Sequence, residues 1–324
     1  MIGTRTPFRV SFIGGGSDLK EFYTRSPGSV LSTTINKYMY IFVHPFFDNR
    51  IQVKYSKTEL VDQIDDVIHP IVRESLKKFD LSGIDINSIA DIPAGTGLGS
   101  SSSYTVGLLH ALYGYTNQNI SAETLASEAS EIEIEILKEP IGKQDQYAAA
   151  YGGLNIIRFL PTGDVKIEPI EMENSLYTQL QDNLLLFYTD KTRSASDILY
   201  DQKNNLINQE KNFDTQKQMT KLVEKAKCCL SDSDLDGFGK ILDENWQLKR
   251  SLSSKISNKN IDDNYSIALK NGALGGKILG AGGGGFLLLY SKKEHQKQLR
   301  DALSKLKEIK FNFEPTGSQL IYFS

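Results

Sequence analysis

The residues best suited to chemistry sit around one short segment. Pro93, Ala94, Gly95, Thr96, Gly97, Leu98 and Gly99 run into four serines, Ser100 to Ser103. An apolar run precedes the segment and a helical pattern comes after it. A helix N-terminus presents unpaired N–H groups and the positive end of its dipole, which suits a phosphate. Glycines ahead of it let backbone wrap an anion, and serine hydroxyls add donors or a magnesium ligand. The segment is not a Walker A loop, because no Gly-Lys-Ser/Thr occurs at the required spacing. A serine-capped helix after a flexible loop is the plainer alternative. One serine suffices for a cap, however, and four in a row after three glycines exceed that need.

Two carboxylates add to this. The helical pattern over Ser121–Lys138 places Glu128, Glu131 and Glu135 on one face, while Leu125, Ala126, Ala129, Ile132, Ile136 and Leu137 define the opposite one. Glu133 projects among the apolar residues. A carboxylate there is costly unless paired, protonated or bound to a metal. A buried salt bridge and a magnesium ligand both stand as readings. Asp145, near the start of the Lys143–Tyr151 helix, is either an N-terminal acid favoured by the dipole or a base or anchor for a hydroxyl nucleophile.

These residues need a framework to hold them. Strands are expected at Phe8–Ile13, Tyr38–Phe46, Ile51–Tyr55, Asn87–Ile92, Leu154–Phe159, Asn183–Tyr188, Phe286–Tyr290 and Gln319–Phe323. Helices are expected at Ser101–Tyr113, Ser121–Lys138, Lys143–Tyr151, Ala195–Gln209, Thr215–Leu230, Leu235–Leu252, Ile261–Asn271 and Lys292–Lys307. The strand-rich first half and the helical, polar Lys191–Asn271 stretch indicate two units, 1–176 and 177–324, and a mixed α+β class. The segment Gly280 to Gly285 contains G-x-G-x-x-G but leads into a strand. A dinucleotide site needs a helix there, so this is read as a loop pressed against other backbone.

The 324 residues carry 37 basic and 40 acidic side chains, a formal net charge of −3, and two adjacent cysteines. Nucleic-acid and anionic-membrane partners would need a basic excess, which is absent. No disulfide or zinc framework is present. No apolar run approaches the ~20 residues that span a bilayer, and a cytoplasmic location is expected. A homodimer is one expectation for its assembly, with no residue pattern behind it.

Together, in order and spacing, Arg9–Asp18, Pro93–Ser103 and Lys277–Gly285 resemble the three motifs of the GHMP kinases, a family that includes galactokinase, homoserine kinase and mevalonate kinase. More narrowly, Pro7–Leu19, Gly142–Gly153 and Thr189–Ser196 resemble the D-glycero-D-manno-heptose 7-phosphate kinases and the kinase part of fucokinases. The resemblance implies a two-lobed fold, with an N-terminal lobe like ribosomal protein S5 domain 2 and a ferredoxin-like C-terminal lobe. It implies ATP and Mg2+, and transfer of a phosphoryl group to the anomeric hydroxyl of heptose 7-phosphate for surface polysaccharide. A fucokinase-like enzyme acting on an unphosphorylated sugar is the alternative, and a non-catalytic sugar or nucleotide sensor a weaker one.

Carried over by position, Asp145 is the catalytic aspartate and Arg9 its neighbouring arginine. Pro93, Gly95, Gly97, Leu98, Gly99, Ser100, Ser101 and Ser102 hold the nucleotide, and Ser101 and Glu133 hold the metal. Gly15, Gly16, Asp18 and Gly283 face the sugar. Gly14-Gly15-Gly16 replaces the Gly-Glu-His of galactokinase, which removes side chains that contact galactose and leaves room for a longer substrate. Ser102 stands where many members have alanine. A phosphorylated substrate needs a second anion site. Arg193, in the turn before a helix, is the first candidate, and Lys249-Arg250 a weaker one that a solvated helix end explains as well.

Overall fold

The computed structural model describes residues 1–189 and 195–323. Its first sheet contains β1 (Ile2–Ile13), β2 (Gly28–Pro45), β3 (Ile51–Lys54), β4 (Thr58–Val61), β5 (Ile84–Ala90), β6 (Leu154–Phe159) and β7 (Val165–Pro169). Strands β8 (Leu184–Tyr188), β9 (Ala273–Ile278), β10 (Phe286–Ser291) and β11 (Lys307–Glu308) form the second sheet. The final strand, β12 (Gln319–Phe323), returns to the first, whose order is β12-β1-β2-β5-β3-β4, with β6 on the other half of β2 and β7 beyond it. The second sheet runs β11-β8-β10-β9, all antiparallel. By chain order this is 4-1-3-2, and helices separate its first from its second strand and its third from its fourth. That is the ferredoxin-like arrangement expected of this half. The fold is α+β.

The expected strands at 154–159 and 319–323 match, but β1 and β2 are longer than their apolar runs. The polar residues Thr4 and Thr6 and Ser29, Ser32, Thr33 and Thr34 mask strand that is nonetheless buried. Three helices, Lys20–Tyr23, Pro70–Phe79 and Asn174–Asp182, are additional to those expected.

Strand β1 positions half of the site. Its alternation sends Phe8, Val10 and Phe12 into the core, where the Phe12 ring meets Phe238 at 5.5 Å and Phe313 at 6.3 Å between centroids. Burying each such ring is worth about 1.5–3 kcal/mol, which fixes the register. Arg9 and Ser11 therefore take the opposite face, toward the Ser100–Tyr115 and Gln144–Tyr151 helices. The Glu210–Ser231 and Leu235–Ser251 helices cover the other side of the strand.

Candidate active site

The serine segment forms the head of the Ser100–Tyr115 helix. Its N-cap is Gly99, in the left-handed region at φ 75°, and no side chain caps the helix. The four serines lie inside the helix, so capping does not account for them. Gly95 and Gly97 also have positive φ, 76° and 87°, a conformation that costs an L-residue about 1–2 kcal/mol. The glycines meet a second need as well. A Cβ on Gly97 would stand 2.4 Å from the Leu279 carbonyl oxygen, and one on Gly280 2.6 Å from the Cα of Gly97. The 280–285 segment is thus a loop pressed onto the first glycine loop, as expected from the strand that succeeds it.

Glu133 is fully buried, at 0% exposure, and no cation neutralises it among the described residues. Its Oε1 accepts from Ser101 Oγ at 2.7 Å and its Oε2 from Gln146 Nε2 at 2.7 Å. Burial is the main cause of a carboxyl pushed up to about 7; Asp145 adds to the rise, while the Ser101, Gln146 and Ser102 hydrogen bonds oppose it. The expected α-helix over 121–138 is α only from Ala122 to Ser130 and then becomes π-helical over Glu131–Ile136. The Leu137 N–H reaches back to Ile132 and the Glu139 N–H to Glu133. The wider turn rotates the side chains at its C-terminal end, so Ile136, expected inside, is 49% exposed. Such turns occur often at functional sites.

Asp145 and Arg9 meet face to face. Arg9 Nε and Nη2 donate to the two carboxylate oxygens at 2.7 Å each, and Nη1 donates to the Gly97 carbonyl at 2.5 Å. This bidentate, charge-assisted pair holds the carboxylate against the glycine loop. Asp18 accepts from the Gly16 N–H at 3.0 Å and the Gln144 N–H at 3.2 Å. Burial, and then the charge of Asp145, push its carboxyl up against those two bonds.

A cleft of about 330 Å3 joins these parts. Arg9, Gly15, Gly16, Asp18, Gly95, Gly97, Gly99, Ser100, Ser101, Ser102, Glu133 and Asp145 all line it. Pro93 and Leu98 shape the loop from outside the cleft: the Pro93 carbonyl accepts from Thr96 Oγ1, and the buried Leu98 carbonyl accepts from the Arg9 N–H. Gly283 is turned away, its N–H donating to Ile256 at 2.8 Å, and Gly280 and Ala281 line the cleft instead. Arg193 lies outside the described residues.

Gln144, Gln202 and Lys249 are among the cleft residues that had no functional assignment in the sequence or only a weak one. Gln144 and Gln202 carry no charge or motif to mark them, and Lys249 reads as an exposed helix end. Lys249 is in fact buried, whereas Arg250 pairs with Asp262 at the surface. Behind the cleft, Lys277 Nζ donates to the Ser11 and Phe12 carbonyls at 2.8 and 3.0 Å, which ties β9 to β1.

The family models described as "GHMP kinases N terminal domain" and "GHMP kinases C terminal" match residues 66–153 and 219–308. The D-glycero-alpha-D-manno-heptose 7-phosphate kinase of Campylobacter jejuni is 31% identical over 321 residues, 94% of this chain and 93% of the relative. The chain belongs to the GHMP kinases. It is an ATP-dependent phosphotransferase. The kinase shares its fold with a D-glycero-D-manno-heptose 1-phosphate kinase from Bacteroides thetaiotaomicron, at TM-score 0.83 and 23% identity over 100% of both chains. A putative sugar kinase from Campylobacter jejuni superposes at TM-score 0.78 with 28% identity, covering 99% of this chain and 98% of that one.

Proposed function

We propose that this kinase phosphorylates the anomeric hydroxyl of D-glycero-D-manno-heptose 7-phosphate, giving the 1,7-bisphosphate for nucleotide-activated heptose and surface polysaccharide. The observation that carries the site assignment is Glu133: an un-neutralised buried carboxylate hydrogen-bonded to a serine at the head of the phosphate-loop helix. The heptose phosphate itself is argued from the Campylobacter jejuni relative, over nearly the full length of both chains.

The nucleotide's phosphates lie along Gly95 to Ser102, held by backbone N–H groups and serine hydroxyls. Among the described residues no three His, Cys, Asp or Glu side chains converge to hold a metal by themselves. Ser101 and Glu133 offer hard oxygen donors, which fit Mg2+ provided that phosphate oxygens and water complete the shell. Bound there, Mg2+ would neutralise phosphate charge. The acceptor lies against Gly15, Gly16 and Asp18, with its anomeric oxygen beside Asp145.

That oxygen bonds to the γ-phosphorus as the bond from γ-phosphorus to the β,γ-bridging oxygen breaks. ADP leaves with the bridging electron pair, and the hydroxyl proton passes to Asp145. Arg9 fixes that carboxylate in place, and positioning supplies most of the acceleration in phosphoryl transfer. The units 1–176 and 177–324 are our proposed lobes, with β12 as a strand returned to the first. A screen for ADP release across hexose and heptose phosphates, with product NMR to locate the new ester, tests the reading. Turnover of free fucose in preference to any sugar phosphate would overturn it.

A further inference from the structure

We propose that Lys249 is a phosphate-binding residue of the cleft, supplied by the Leu235–Ser251 helix to take an oxygen of a phosphate dianion at the reacting end. This inference rests on the proposed kinase function and adds to it a residue that function does not yet use. Lys249 is 5% exposed and lines the cleft together with Arg9, Asp18 and Asp145. Its Nζ donates to the Gly280 carbonyl at 2.5 Å, which leaves two N–H donors. Among the described residues no carboxylate forms an ion pair with it. Arg9 differs, because both edges of its guanidinium are already committed to Asp145 and Gly97.

A buried, unpaired ammonium weakens a fold, and an apolar side chain of the same length would pack there at lower cost. Burial and the neighbouring Arg9 charge push its pKa down to about 8, against the pull of Asp18 and Asp145. The rest of the lining points the same way. The side-chain N–H2 groups of Gln144 and Gln202, both buried and both in the cleft, have no acceptor. Lys249, Gln144 and Gln202 together present donors in search of acceptors, which suits a ligand rich in anionic oxygen.

Two phosphates meet that description: the γ-phosphate of the nucleotide and the acceptor's own. Lys249 is anchored on Gly280, whose backbone presses on Gly97. That attachment to the glycine loop favours the γ-phosphate.

Calorimetric binding to Lys249→Met, Lys249→Arg and the wild-type chain separates the two sources. The probes are AMP-PNP and ADP, each with Mg2+, and heptose 7-phosphate and free heptose. A γ-phosphate role predicts that Lys249→Met weakens AMP-PNP about ten- to a hundredfold while ADP changes little. An acceptor-phosphate role predicts loss confined to heptose 7-phosphate. Lys249→Arg should restore most of either loss. Wild-type affinity for the same ligand should fall above about pH 8, as the ammonium loses its proton facing Arg9 on β1, Asp18, Asp145 and Lys277 on β9. In Lys249→Arg that fall should be absent.

Thermal melting of Lys249→Met at or above wild type excludes misfolding. Unchanged affinity for all four probes, or a uniform loss across them, overturns the proposal. If the wild-type chain binds neither heptose, the sugar reading fails, while the nucleotide arm still decides Lys249.

Discussion

Asp145 and Glu133 are both acids near a glycine loop, yet their surroundings give them different work. Asp145 is half-buried, and its pairing with Arg9 fixes the carboxyl group at the wall of the cleft. Asp145→Asn keeps the shape and removes the charge. We expect kcat to fall about 10^2- to 10^4-fold with the KM for ATP little changed, measured by steady-state kinetics.

Glu133 is fully buried in the wall of the cleft, and its substitution should read out in stability. Its carboxyl titrates at about 7 in the folded chain against an ordinary 4.5. The unfolded chain therefore ionises first, and this group's contribution to stability is lost as pH rises from 4.5 through about 7. Without divalent ion, Glu133→Gln should melt higher than wild type at pH 8, by as much as about 3 kcal/mol, and close to it at about pH 4.5. Added Mg2+ and nucleotide should narrow the gap by stabilising the wild type more than the variant, and the variant should need more Mg2+ for turnover. Glu133 was legible because a single carboxylate broke an apolar helical face. Lys249 was not, because a lysine near a helix C-terminus is the ordinary pattern for a solvated end.

At the scale of elements, the two glycine loops act as one structure. Gly97→Ala should place a methyl 2.4 Å from the Leu279 carbonyl in addition to straining φ, whereas Gly95 has open space around the same position. We expect Gly95→Ala to cost about 1–2 kcal/mol in denaturant melts, and Gly97→Ala appreciably more, with a raised KM for ATP. The sequence marked both clusters as close-approach backbone; that they approach each other depends on Lys277 and β9 carrying the second over the first. The π-helical turn at Glu131–Ile136 had no signature, because residue periodicity assumes the α pitch before the hydrogen bonds are known.

Over the whole molecule, β12 closes the edge of β1, and Leu320 packs beside Gly114 of the Ser100–Tyr115 helix. Removing residues 319–324 should expose that edge, lower the melting temperature by several degrees and promote aggregation, as seen by thermal melts with light scattering. The KM for ATP of the remaining folded chain should move little, because the strand pairs with Ile2 to Arg5 and leaves Arg9 untouched. Among the described residues no helix is long and apolar enough to cross a membrane.

What the chain determined by itself was the local chemistry: glycines where backbone must bend left, serines at a helix head, an acid on an apolar face, and an arginine that alternates with Phe8, Val10 and Phe12 along a strand. Each stems from side-chain type and a short period, which act over a few residues. Tertiary structure decided which loop lies on which, that Gly283 turns away while Gly280 and Ala281 face the cleft, and that Lys249 is buried. Those outcomes depend on contacts between segments far apart in the chain, and their energies arise only once the layers are packed.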